Sequence, residues 1–426
     1  MNQPVSAPGN SSTKWWFLAF ASVALFGNYY VYDAIGPLAD TLNRELGFND
    51  TQIGTLNAIY SLPNIFLVLA GGFLADRFGA GKVAFWTALI CCAGAIISAS
   101  FGEFIPMAAG RFLFGIGAET FIIALSVMIA MRFGGHVVAL AMALNLSFGR
   151  LGSYTADVSP VWAGNIYDLG WQGPMMLAAA FAGLSALAAG ACWWFDLYRP
   201  ADNKLVAQAA EEHEQPFRWR DLVEFDRSFW YVAALNVLFY AVIFPFRSTF
   251  AIKYFQHAHD HTLESASIVN SYVYIAAILL SPVFGWLADR FGRRGLMMTI
   301  GSLLLPLSFA GLMIEGWGAW VTTGLLGVSF ATVPAILWPA VVKLVKPSLL
   351  GTAYGLLFML QAIGLFISNL LAGGLNDLFQ AGADNPAGYT AMLIFFGTLA
   401  AAAFVFAWLL WQRERGPNNH GLEEPR

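Results

Sequence analysis

Six ionisable side chains, Asp33, Arg111, Glu119, Arg150, Asp157 and Arg247, lie inside long apolar runs of a 426-residue chain. Each would cost roughly 2.5–3.5 kcal/mol if it faced lipid at a bilayer centre, so all six should turn inward and find partners or cargo. At 1.5 Å of rise per residue, Glu119 lies about 15 residues, or ~22 Å, below the outer start of its run, and Arg150 about 13 residues above the inner start of the next. Both therefore reach mid-depth. A fixed carboxylate and a guanidinium fork can hold the ammonium and carboxylate ends of a short zwitterion without reading the side chains between them. We expect Glu119 to take the ammonium and Arg150 the carboxylate. The alternative is a permanent Glu119–Arg150 salt bridge tying two helices together, and between these extremes cargo inserts into the pair and couples binding to helix movement.

Other polar groups complete the set. Tyr29, Tyr32, Tyr60 and Asn64 in the first half, with Asn236, Tyr240, Asn270, Tyr274, Trp338 and Gln361 in the second, can line a wet cavity while offering apolar surface to variable cargo. Arg150, Tyr154 and Asp157 are spaced four and three residues apart on one helix face, so Asp157 either steadies Arg150 or lines the outer part of the cavity. Outside the apolar runs, His257, His259, Asp260 and His261 form a cluster that reads as a solvated, pH-sensitive loop or, less favoured, a metal site. No phosphate-cradling glycine loop, H-E-x-x-H motif or nucleophile elbow occurs, so enzyme chemistry, a cofactor and a metal have no positive support. Cys91, Cys92 and Cys192 all sit in apolar stretches without ligand spacing and read as small core residues.

The elements that must position these groups are transmembrane helices. The chain is 58% apolar and 11% charged with a mean hydropathy of +0.62, whereas a soluble domain carries about 25% charged residues. A net charge of −4 selects neither nucleic acid nor any other partner. Apolar runs predict twelve spans, Trp15 to Leu38, Gln52 to Ala75, Val83 to Phe101, Phe104 to Met131, Val137 to Ile166, Gln172 to Phe195, Phe229 to Tyr254, Glu264 to Ala288, Leu296 to Ile314, Trp317 to Val342, Leu350 to Leu375 and Tyr389 to Trp411. They group into a tail (1–14), a first bundle (15–195), a linker (196–227), a second bundle (228–412) and a closing tail (413–426). The linker either carries a short amphipathic helix from Pro216, with Arg218 and Arg220 toward lipid phosphates, or is simply solvated. With both ends inside, Lys14, Arg77, Lys82, Arg132 and thirteen further basic residues are cytoplasmic and only Arg44 and Lys253 lie outside, as the positive-inside rule requires.

An octapeptide recurs 213 residues apart, as Gly72-Phe-Leu-Ala-Asp76-Arg77-Phe-Gly79 and Gly285-Trp-Leu-Ala-Asp289-Arg290-Phe-Gly292, and Asn57 matches Asn270 in the same register. Duplicated six-helix halves around a midplane site favour alternating access over a static pore. The same offset brings Asp33 opposite Phe246, next to Arg247. We therefore expect an Asp33–Arg247 outer gate that forms when the protein opens inward, the alternative being two separate hydrated charges.

The repeated octapeptide resembles the signature loop of the major facilitator superfamily, G-x-L-A-D-R-x-G after the second helix. The resemblance implies a fold of twelve helices in two pseudo-symmetric bundles, and a gating role for Asp76, Arg77, Asp289 and Arg290 at the cytoplasmic seam. There Asp76 would face the N-terminal end of the eleventh helix near Gly351; the alternative is that these residues only stabilise tight turns. A narrower resemblance runs through Phe26-Gly-Asn-Tyr29-Tyr-Val-Tyr32-Asp33, Tyr60-Ser-Leu-Pro63-Asn64, Gly110-Arg111-Phe-Leu-Phe-Gly-Ile-Gly117-Ala-Glu119, Phe244-Pro-Phe, Ser281-Pro-Val-Phe-Gly, Leu337-Trp338-Pro339 and Gly351-Thr-Ala-Tyr-Gly355. In order and position these are similar to the lysosomal dipeptide transporter branch of that superfamily. It implies facilitated transport of dipeptides without an obligatory ion gradient, with Glu119 and Arg150 as the substrate-binding acid and base, Tyr29, Tyr32 and Trp338 beside them, and Arg111 as an internal anchor. The chain departs from that branch in lacking an acidic dileucine signal near its start, which suits a bacterial inner membrane, and in carrying Arg247 where an uncharged residue is expected. The expectation is a monomeric dipeptide uniporter in a lipid bilayer. Its rivals are a proton-coupled symporter of peptides or organic anions and a non-transporting receptor or scaffold.

Overall fold

A computed structural model describes residues 11–133, 136–198, 225–314, 318–346, 349–417 and 419–425, without the side chains at 11, 12, 68–73, 76 and 136. The possible amphipathic helix of the linker lies outside the described residues. Apart from one isolated bridge, the described secondary structure is helical. The first bundle comprises α1 (Ser11–Asp33), the short α2 (Ala39–Leu46), α3 (Asp50–Phe78), α4 (Ala80–Ser100), α5 (Phe104–Arg132), α6 (His136–Asp157), the short α7 (Ser159–Trp162) and α8 (Gly164–Tyr167), and α9 (Gln172–Tyr198). The second comprises α10 (Arg227–Pro245), α11 (Ala251–Ala258), α12 (Leu263–Phe291), α13 (Arg294–Leu312), α14 (Ala319–Leu344), α15 (Leu350–Leu378) and α16 (Thr390–Glu414). Ten spans are long and apolar enough to cross a membrane among the described residues, α10 and α11 together forming one of them. The other long helices of the described residues, α1 and α3, have 23 and 29 residues.

The internal repeat is visible in the backbone. α3 and α12 are both 29 residues long and begin and end 213 positions apart. Each starts on a side-chain cap, Asn49 in a capping box with Gln52, and Thr262 accepting from the Ser265 amide, which satisfies amides that a helix start leaves open. Each ends at a glycine with positive φ, Gly79 and Gly292. Each half has its own apolar core, and the halves meet mainly where α3 packs along α15 and α6 along α12.

Three predicted spans are shorter or broken, always near a proline. The first stops at Asp33, and Pro37 opens a 3-10 turn, Gly36–Leu38, before α2. The fifth stops at Asp157, and Pro160 begins α7. A proline ring has no amide to continue a ladder and suits a helix start instead. The seventh continues beyond Tyr254 to Ala258 but passes through a π-turn, Phe246–Phe250, directly after Pro245. All three breaks fall on the outer side, taking the charge-biased face as cytoplasmic.

The closing segment also differs from expectation. Far from trailing as a tail, residues 419–425 fold against the cytoplasmic ends of the second bundle. The Glu423 carboxylate accepts from the Gly295 and Leu296 amides at the start of α13, at 2.8 and 3.3 Å, Lys343 donates to the Gly421 carbonyl at 2.7 Å, and Leu422 is fully buried. Burial pushes the Glu423 carboxyl above its ordinary range, with the two amides opposing the shift.

Candidate transport site

Glu119 and Arg150 are partly exposed, and each is held by neutral groups. The Tyr60 hydroxyl donates to Glu119 Oε1 at 3.2 Å. α5 can approach α3 this closely because residue 115 is glycine: a Cβ there would lie 2.3 Å from the Tyr60 carbonyl oxygen. Arg150 reaches out of the first bundle, donating from Nη1 to the Ala277 carbonyl at 3.2 Å and to Ser281 Oγ at 3.1 Å on α12. Glu119 and Arg150 form no salt bridge with each other, and among the described residues neither has a counter-ion in contact.

An aromatic wall links the two charges. Tyr60 packs on Tyr32 with ring centres 4.8 Å apart, Tyr32 on Phe244 at 6.2 Å, Phe244 on Phe330 at 5.7 Å, and the Arg150 guanidinium lies 5.4 Å from the Phe330 ring. Phe244 also stacks on Tyr240, whose hydroxyl accepts from Trp338 Nε1 at 3.1 Å, and Trp338 stacks on Phe358 at 4.7 Å. Phe330 and Phe358 were not singled out from the sequence, because an apolar ring in an apolar helix carries no signal of which way it points. Tyr29 and Tyr154 are partly exposed, whereas Asn64 is buried with an unpartnered carbonyl oxygen.

Asp157 neither steadies Arg150 nor lines a cavity. It accepts from Arg247 Nη1 at 2.8 Å and from Asn270 Nδ2 at 3.0 Å. A second Arg247 nitrogen, Nη2, pairs with Asp33, whose second oxygen accepts from the Tyr274 hydroxyl at 3.0 Å. The three charged side chains are 2%, 0% and 0% exposed. The reason for the change of partner is local. The π-turn after Pro245 swings Arg247 toward the first bundle at the depth where α1 and α6 both end in an aspartate. Asn270, expected at the cargo, is 1% exposed and committed to this cluster. Arg111 is an internal clamp beneath it, donating to the carbonyls of Leu56, Val31 and Tyr32 and to Asn57.

A second tier closes the outer mouth. Lys253, expected at the outer end of the seventh span, is 2% exposed and pairs with Asp50 at 2.5 Å. Asn376 donates to the other Asp50 oxygen at 2.8 Å, and the Asp377 carboxylate accepts from the Asp50 and Thr51 amides at 2.8 Å each. Nearer the surface, His257 bridges Asp40 and Tyr389, whereas His259 and His261 bond Tyr254 and Ser265. The three rings thus diverge, and among the described residues no group of side chains is arranged to hold a metal. Burial would raise the Asp40 carboxyl, but the His257 hydrogen bond, with Arg44 and Lys253, outweighs this and holds it below its ordinary range.

On the cytoplasmic side the side chain of Asp76 lies outside the description, and Arg77 is exposed with its guanidinium 5.5 Å from the Phe78 ring. Asp289 pairs with Arg294 at 2.9 Å, and Arg290 packs over Trp286 at 5.2 Å. Gly351, at the start of α15, is exposed, with open space where a side chain would stand. The cross-bundle bonds named above all lie between mid-depth and the face opposite the charge-biased one.

Comparison with known proteins follows the same lines. The family model described as Major Facilitator Superfamily matches residues 21–262 and 229–425. The lysosomal dipeptide transporter MFSD1 of Danio rerio is 31% identical over 423 residues, covering 96% of this chain and 88% of the relative. That of Homo sapiens is 30% identical over 412 residues, covering 92% and 85%. Among solved structures, a bacterial homologue of the human lysosomal transporter Spinster, inward-facing and unoccupied, superposes with a TM-score of 0.75 at 14% identity over 95% of this chain and 98% of that one.

Proposed function

Because this chain belongs to the Major Facilitator Superfamily, we propose that it is a twelve-helix carrier moving dipeptides by alternating access, as a uniporter. It is an integral membrane transporter, and its relatives in the previous section are transporters too. The dipeptide reading rests on the names of those relatives and on one observation here. Glu119 and Arg150 are both reachable and, among the described residues, lack counter-ions in contact, and an aromatic wall joins them. A zwitterion supplies the missing counter-charges at both ends, ammonium on Glu119 and carboxylate on the free edge of the Arg150 fork. Tyr29, Tyr32, Tyr60, Asn64, Tyr154 and Trp338 shape the space between, and rings accept many side chains because dispersion contacts do not require one shape of partner.

Uniport is favoured by where the remaining acids sit. Asp33 and Asp157 are held by Arg247 away from the cargo, which leaves Glu119, among the described residues, as the acid beside the aromatic wall. The excess of Lys and Arg on one face supports both ends of the chain lying in the cytoplasm. The Asp33–Arg247 pair acts as the outer gate.

Counterflow in proteoliposomes tests this. Dipeptides of varied side chains should exchange, N-acetylated and C-amidated analogues should not, and Glu119→Gln and Arg150→Ala should each abolish exchange. Unaltered passage of doubly capped cargo would overturn the assignment of both residues. An imposed pH gradient that drives accumulation would replace uniport with proton symport.

A further inference from the structure

The two charges proposed for cargo stand on the same bundle but are held by different ones. Glu119 on α5 takes its hydrogen bond from Tyr60 on α3, within the first bundle. Arg150 on α6 is held by the second: Nη1 donates to the Ala277 carbonyl and to Ser281 Oγ on α12, and the guanidinium lies over the Phe330 ring of α14. α12 and α14 are packed closely beside this contact, because residue 327 is glycine and a Cβ there would lie 2.8 Å from the Ala276 Cβ. Phe330 follows three residues on, along the same face of α14. The internal repeat breaks at this place. At the 213-residue offset Ser281 and Pro282 correspond to Val68 and Leu69, so α12 carries a hydroxyl and a proline where the first half has two apolar residues. Pro282 has no amide for the Ile278 carbonyl, and a turn loosened in this way adjusts readily to a donor from outside the helix. The Nε and Nη2 edge of Arg150 takes no hydrogen-bond partner among the described residues.

We propose that Ser281 and Phe330 are positioning residues that carry the pull of cargo into the second bundle: they fix one edge of the Arg150 guanidinium and leave the other for the cargo carboxylate. Cargo spanning Glu119 and Arg150 then ties an acid seated in the first bundle to a base seated in the second. Its carboxylate end, not its ammonium end, biases the movement of the bundles. A ligand shifts an equilibrium only by its difference in affinity for the two states. Here the difference arises because moving α12 and α14 away from α6 frees the Arg150 side chain, which the carboxylate must then immobilise itself. The inference rests on the zwitterion reading of the proposed function and adds the residues that couple binding to movement.

The test pairs binding with conformation. Calorimetry on the full chain measures affinity for a free dipeptide and for its C-amidated analogue. Spin labels at Leu169 and Ala383, exposed outer positions in the first and second bundles, report the separation of the bundles in a background with Cys91, Cys92 and Cys192 replaced by alanine. In the parent, free dipeptide at saturation should shift the distance distribution, whereas the C-amidated analogue should bind more weakly and leave the distribution unchanged. Ser281→Ala should weaken the free dipeptide about threefold to tenfold, the cost of immobilising one long side chain on binding. It should leave the affinity for the amidated analogue as it was and shrink the cargo-driven shift. Ser281→Thr keeps the hydroxyl and should restore both, and Phe330→Leu, which removes the ring under the guanidinium, should act in the same direction as Ser281→Ala. A merely structural role would weaken both ligands alike. An equal loss for the two ligands, or a full cargo-driven shift in both Ser281→Ala and Phe330→Leu, would overturn the inference. A parent that binds free and amidated dipeptide equally would overturn the proposed function and this inference with it; a parent that discriminates, beside variants that discriminate as strongly, overturns this inference alone.

Discussion

At the scale of single residues, the distribution of charge separates binding from sealing. Arg247 answers two carboxylates at once, with all three groups buried, whereas among the described residues Glu119 and Arg150 answer none. Taking one partner from a buried ion pair leaves a charge without compensation and costs about 3–5 kcal/mol. Arg247→Gln leaves two aspartates facing each other, while Asp157→Asn leaves one acid and one base. We therefore expect Arg247→Gln to lower the thermal unfolding temperature far more than Asp157→Asn, and Asp157→Asn to retain the Asp33–Arg247 pair and measurable counterflow. Equal losses in the two variants would mean that the cluster is held by shape and not by charge. Tyr60→Phe removes the hydroxyl that orients Glu119 but keeps the ring in the wall. It should raise KM for dipeptides about tenfold or more with kcat little changed, as expected when one hydrogen bond to a charged carboxylate, about 1.5–3 kcal/mol, is lost.

At the scale of elements, the outer seal depends on how closely α3 and α15 cross. A Cβ at Gly373 would lie 2.3 Å from the Asp50 carbonyl oxygen, and this neighbour is rigid backbone. Gly373→Leu should prevent the crossing and hold the carrier open outward, so a water-soluble thiol reagent should reach a cysteine placed at Thr249, which is buried here. Protection of that cysteine would show that the seal closes without the close crossing. The α2–α11 contact adds a pH dependence. Asp40 is held below its ordinary range by His257 and Arg44, so its contribution to outer closure is present above the ordinary carboxylate value and is lost as pH falls through the lowered one. Acidification below the ordinary carboxylate range should loosen this tier in the parent protein, and Asp40→Asn should remove that part of the response, both read from the outer spin-pair distance.

At the scale of the whole molecule, the two halves share a repeat but not a finish. The second bundle is bound at its cytoplasmic end by residues 419–425, which cap α13 and receive Lys343. Asp226 and Glu414 add bonds to Arg413, Ser228 and His420. Leu422→Ala should cost about 2–5 kcal/mol, as for other fully buried leucines, and lower the unfolding temperature without altering the dipeptide preference. A loss of preference with unchanged stability would place this segment in the transport path.

The amino-acid sequence by itself determined what depends on distance along the chain. Low charge and long apolar runs demand membrane helices, the 213-residue repeat demands two matched bundles, and counting rise per residue puts Glu119 and Arg150 at the same depth. The repeat also set Asp33 beside Arg247, because pseudo-symmetry converts an offset in sequence into proximity in space. Rotation about each helix axis and contact between bundles were decided only by the tertiary structure. Asp157 turned to Arg247 because a π-turn swung that guanidinium across the boundary. Lys253, which read as an outer charge, became half of a buried pair with Asp50. Phe330 entered the aromatic wall, and the closing segment became a clasp. Each of these depends on which residues face one another across a packed interface, and side-chain direction there is set by the neighbouring helices rather than by local sequence.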